Sequence, residues 1–154
     1  MSSHRVSKLI GFATFFILGI VNVAHAEEDR RFQLTGIGRF TYLVDLDTVS
    51  REGDVVRLRS LQVTPEPMKI GNTLYIGGYS WWHFDCAAQM ASRLDYASLM
   101  DDFSEGPTTP INAPPYAIAK GGDADELAQV GCGVVPQEVS ARSIIEAIAL
   151  SRED

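Results

Sequence analysis

Residues 73–86 read TLYIGGYSWWHFDC, and the fold turns on whether this run is extended. Its β-branched and aromatic residues favour a strand, with Gly77-Gly78 marking a bulge or kink. Successive side chains of a strand point to opposite faces. Ser80, Trp82, Phe84 and Cys86 then share one face, and Tyr79, Trp81, His83 and Asp85 share the other. A cysteine that pairs in a small domain sits under cover, which assigns Trp82, Phe84 and Cys86 to the core. Tyr79, Trp81, His83 and Asp85 become the candidate ligand-binding face. The competing account covers both faces, one with the sheet's own core and one with the C-terminal helix, because aromatic residues at strand spacing are usually packing.

Upstream, RFTYLVDLDTV (39–49) alternates, with Phe40, Tyr42, Val44 and Leu46 opposite Thr41, Leu43, Asp45 and Asp47. The polar Ser50-Arg51-Glu52-Gly53-Asp54 is a turn into VVRLRSLQV (55–63), giving a hairpin. Pro65-Glu66-Pro67 should end that second strand, since proline cannot donate to a ladder, and Gly71-Asn72 turns the chain into the aromatic run. Downstream, alanines with Met90, Leu94 and Leu99 give residues 86–103 the composition of a helix. SEGPTTPINAPP (104–115) reads as an irregular surface loop. A short helix is expected over 124–130 and an amphipathic one over 140–151, where Ile144, Ile145, Ile148 and Leu150 cluster toward one side.

The first residues speak to the compartment. Arg5 and Lys8 precede an apolar run over 9–23, and Ala24-His25-Ala26 is a small-x-small cleavage site, so residues 1–26 read as a cleaved signal peptide. No cysteine follows that site to carry a lipid, so the expected location is periplasmic or secreted, with no transmembrane segment after cleavage. Cleavage removes Arg5 and Lys8 and no acid, which takes the formal charge from −7 to −9. Such acidity opposes nucleic acid as a partner. Two cysteines, Cys86 and Cys132, in an exported chain read as a structural disulfide, worth about 4 kcal/mol through loop entropy. The mature chain divides into a β domain over 27–136 and a C-terminal amphipathic helix and tail over 137–154.

Catalytic patterns are sparse. His83 is the sole histidine after cleavage, and Ser80 lies on the opposite strand face from it. Elbow, phosphate-loop, zinc-helix and dinucleotide motifs are all lacking in the sequence. Asp45 with Asp47, and Asp101 with Asp102, are more simply solvated acids than a glycosidase pair. These features point to no catalytic residues and no cofactor. The alternative is a small periplasmic enzyme, or a haem- or metal-binding protein using His83 with Trp81 and Tyr79 or with Asp45, Asp47 and Asp85.

Three features carry a family resemblance. They are the Tyr-x-x-Asp strand within YLVDLDTVSREGDVVRLRSLQV (42–63), Phe84-Asp85-Cys86 followed by Arg93 and Tyr96 within WHFDCAAQMASRLDYASLM (82–100), and a second cysteine closing DADELAQVGC (123–132). Together they resemble the surface-adhesin protein E family of bacterial envelope proteins. The resemblance implies an α+β, mainly β fold: about six antiparallel strands in a curved sheet, a half-open barrel, braced by a C-terminal helix and one disulfide, with residues 86–100 extended against their composition. It also implies a non-catalytic binding module that recognises a protein ligand, such as vitronectin or laminin, and a haem role is associated with the family's type member. An exposed sheet edge also leaves a homo-oligomer open.

Overall fold

Thr73–Asp85 is a strand, β4, and its neighbours pair with it in register over nearly its whole length. The computed structural model describes residues 29–152, so the expected signal peptide lies outside the described residues. In chain order the other strands are β1 (Phe32–Ile37), β2 (Thr41–Glu52), β3 (Val55–Ile70), β5 (Met90–Arg93), β6 (Asp95–Met100), β7 (Thr109–Pro110) and β8 (Tyr116–Ala117). Two helices follow, α1 (Asp123–Gly131) and α2 (Ile144–Leu150). All pairings are antiparallel, in the order β1-β2-β3-β4-β5-β8, with β6 on the far half of β4 and β7 on β6. The sheet is curved and not closed, as the resemblance implies.

Turn chemistry explains the hairpins. Gly53 and Gly71 both adopt positive φ, at 60° and 61°, where a side chain is strained. β2 runs on to Glu52 before the chain turns, two residues beyond the start of the expected turn. Pro65 and Pro67 do not end β3, contrary to expectation. They lie in a stretch where the register jumps from Val63–Gly77 to Met68–Tyr75, so neither faces a rung that needs its missing N–H. The strand bends there and continues to Ile70.

The bulge expected at Gly77-Gly78 falls just before them: both glycines keep regular rungs, and the register shifts between Tyr75 and Gly77 against β3 and β6 alike. A Cβ on Gly77 would lie 2.2 Å from the Gln62 carbonyl oxygen, and one on Gly78 would meet the Tyr96 ring at 2.4 Å. The Tyr96 hydroxyl donates to the Gly77 carbonyl at 3.3 Å. The aromatic ring thus fills the space that Gly78 leaves, while the β3 backbone closes on Gly77.

Residues 86–103 are not helical. A turn over residues 86–89 leads to β5 and β6, which pair with successive halves of β4, while Leu94 N donates to the Trp81 carbonyl between them. Backbone partners on β4 outweigh the alanine propensity.

Two cores form on opposite faces. Trp82 and Phe84 stack with centroids 5.7 Å apart and pack with Tyr42, Val44, Val56 and Leu58 beneath Leu127 and Ala128 of α1. On the other face Phe32, Leu43, Leu61, Tyr79 and Leu99 pack against Ala147 and Ile148 of α2. Each large side chain removed from water contributes about 2 kcal/mol. The first helix matches its predicted span within one residue at either end. The second begins later than residue 140, because Ser140 and Ala141 give their N–H groups to the Phe32 carbonyl and extend the edge of β1. Ser143 then caps α2 by accepting from Glu146 N. Ile145, expected on the apolar side, is exposed.

Cys86 and Cys132 are bonded, with Cα atoms 5.8 Å apart, tying the end of β4 to the C-terminus of α1. Replacing both by alanine should destabilise the chain by about 4 kcal/mol, because the bond spans 46 residues. Urea denaturation of the two forms measures this directly, and a loss under about 1 kcal/mol would contradict the clamp.

Candidate ligand-binding face

The register of β2, β3 and β4 lays out the face opposite Trp82 in rungs. Leu43 pairs with Leu61 and Leu61 with Tyr79; Asp45 pairs with Arg59 and Arg59 with Trp81; Arg57 pairs with His83. Each arginine reaches diagonally across one rung. The Arg57 guanidinium lies 4.1 Å from the Trp81 ring centroid, and that of Arg59 lies 4.1 Å from the Tyr79 centroid. Strand twist brings diagonal neighbours within reach of long side chains, and ring quadrupoles attract the cations.

Of the four residues assigned to this face, Tyr79 is not available to a ligand: it is 1% exposed. The core under α2 closes over its ring, and Arg30 and Arg59 cover what remains. Its phenol pKa is raised by burial, with Arg30 opposing. Asp85 holds the turn after β4, accepting from Ala88 N at 2.8 Å. Trp81 is partly buried and His83 exposed. The His83 side chain makes no hydrogen bond or ion pair with the described residues, and no three His, Cys, Asp or Glu side chains among them converge to hold a metal.

Beside Trp81 the ladder runs into a charged cleft of about 580 Å3, lined by Arg30, Asp45, Asp47, Arg59 and Glu105. Asp45 is 1% exposed and paired to Arg30. Burial works against the Arg30 cation, but Asp45 and the Tyr79 phenol outweigh it and raise the Arg30 pKa. Arg59 grips Glu105, its Nη1 donating at 3.2 Å. The second Asp45 oxygen, Oδ1, and Arg59 Nε are both buried and have no partner among the described residues. Asp45 and Asp47 share this cleft, as their parity requires, but they pair with different arginines. Arg31 donates to Asp47 from its backbone and its side chain, which lowers the Asp47 pKa. That pairing contributes stability above the ordinary carboxylate pKa, and the contribution is lost as pH falls through the lowered one.

Sequence reading missed Arg57 and Arg59, although the R-x-R spacing in VVRLRSL already placed both opposite Val56 and Leu58. Arg30 and Glu105 arrive from distant segments and left no local signal. No known family model matches this chain, and no curated protein matches it.

Arg30→Ala should cost about 3 kcal/mol, because it strands a buried carboxylate. Arg31→Ala, which removes an exposed pair, should cost less than about 1 kcal/mol. Urea midpoints at neutral pH separate the two, and equal losses would contradict the buried pair.

Proposed function

We propose that this chain is an exported, non-catalytic binding module of the bacterial cell envelope, similar to the surface-adhesin protein E family, that recognises a protein ligand through the β3–β4 face. The Arg57–Trp81 stack carries this reading. It is a partly solvent-facing cation–π pair, flanked by the exposed His83 and by the charged cleft. Tryptophan and arginine dominate the binding energy of protein interfaces, and a pre-stacked pair loses little side-chain freedom on binding. Arg59, Glu105 and Asp47 supply a polar rim around this anchor. His83 stands on the flat of a strand beside Arg57, with no acid held against it among the described residues, a placement suited to contact rather than to proton transfer. The disulfide accords with life outside the cytoplasm.

Purified vitronectin and laminin are the first ligands to test, since the family resemblance implies them. Trp81→Ala should weaken capture of a bound protein by about 30-fold, equivalent to about 2 kcal/mol, and Arg57→Ala by a smaller factor. Both variants should keep the wild-type unfolding free energy, read from urea denaturation, to within about 1 kcal/mol. Undiminished binding by Trp81→Ala would remove the face from the reading.

A further inference from the structure

On the opposite side of the sheet lies a second cleft, of about 330 Å3, between β4, β5 and the proline-rich loop. Three arginines of the described chain are partly buried: Arg30, Arg59 and Arg93. Arg30 has Asp45 and Arg59 has Glu105, but Arg93 has no acidic partner among the described residues. Its unpartnered nitrogens are not sealed in the core but open to solvent in the cleft, where they keep hydrogen-bonding capacity for a ligand.

Arg93 is also held still. It stands directly opposite Trp82 in the β4–β5 register. Its guanidinium carbon lies 5.5 Å from the Trp82 centroid and 5.4 Å from the Tyr96 centroid. Its Nε donates to Ser80 Oγ at 2.8 Å, and Trp82 is fixed in turn by its Nε1 donating to Ser60 Oγ at 2.9 Å. With the two rings beside it and its Nε occupied by Ser80, the pair of Nη nitrogens is the remaining donor edge. Neither has an acceptor among the described residues. That edge is the fork that matches a carboxylate with two parallel hydrogen bonds.

The walls define what accompanies the carboxylate. Trp82, Ile111, Pro114 and Tyr116 make them largely apolar, and Asp123 adds one acceptor. The volume lies at the small end of ordinary ligand sites, enough for a group the size of one large amino-acid residue. We propose that this cleft binds a terminal carboxylate joined to an apolar side chain, with Arg93 holding the carboxylate, Trp82 and Tyr116 the side chain, and Asp123 accepting an amide N–H. The chemistry is that of an acylated apolar amino acid, either free or at the end of a peptide. This site is independent of the β3–β4 face, and either can fail without the other.

The chain has two indole N–H signals, from Trp81 and Trp82, which report on the two faces separately. Nuclear magnetic resonance titration of the disulfide-bonded chain with N-acetylphenylalanine should move the Trp82 indole signal saturably and leave that of Trp81 in place. N-acetylphenylalanine amide, lacking the anion, should move neither. A tetrapeptide ending in phenylalanine with a free carboxylate distinguishes the sources: a matching shift assigns the site to chain ends, and no shift assigns it to the free small acid. Arg93→Gln should weaken binding at least tenfold. Arg93→Lys, which keeps the charge but loses the fork, should also weaken it. Equal binding of acid and amide, or no saturable shift at about ten times a millimolar Kd, would overturn the proposal. If Arg93→Gln fails to fold, the acid-against-amide comparison on the unaltered chain decides alone.

Discussion

Nine consecutive antiparallel rungs join β3 to β4, from Val55–Asp85 to Val63–Gly77, and both faces of the molecule follow from that register. Because side chains alternate, one set of rungs sends Val56, Leu58, Trp82 and Phe84 toward α1, while the other sends Arg57, Arg59, Leu61, Tyr79 and Trp81 the opposite way. A slip of one residue would exchange these sets and bury the arginines. The pairing is therefore fixed by the cost of burying charge as much as by the gain from burying rings. The regular ladder ends after Val63–Gly77, where the displaced prolines of β3 begin.

The two helices close this sheet unequally. α1 covers the end holding Trp82 and Phe84, and the disulfide anchors its C-terminus to the end of β4. α2 covers the opposite face only around Tyr79 and Leu61. Beyond its reach the same face passes from apolar core to an alternating set of charges, Arg30 on Asp45 and Arg59 on Glu105, and then to Trp81 under Arg57. One strand thus supplies a sealed aromatic and a solvent-facing one two residues apart. The difference lies in what lies over them, not in their parity.

That distinction marks how far the sequence could be read. Alternation assigned Trp82 and Phe84 to the core correctly, and the pair of cysteines predicted the bond that the structure contains. Alternation also grouped Tyr79 with Trp81, since parity says which way a ring points and nothing about which distant helix covers it. Residues 90–100 have alanine-rich, helix-favouring composition, and only partners remote in sequence make them strands. Ser140 and Ala141 fit a helical pattern but serve the edge of β1 instead. Arg93 was legible only as part of a family resemblance; its want of an acidic partner is a fact of three-dimensional arrangement.

The β3–β4 register leaves Trp81 open while Tyr79 and Trp82 are closed. Hydroxyl-radical footprinting of the folded, oxidised chain, read residue by residue by mass spectrometry, tests it most directly. Trp81 and His83 should be oxidised several times faster than Trp82, with Tyr79 protected until the chain unfolds. Oxidation of Trp82 or Tyr79 at the rate of Trp81 would contradict the register and, with it, both binding faces.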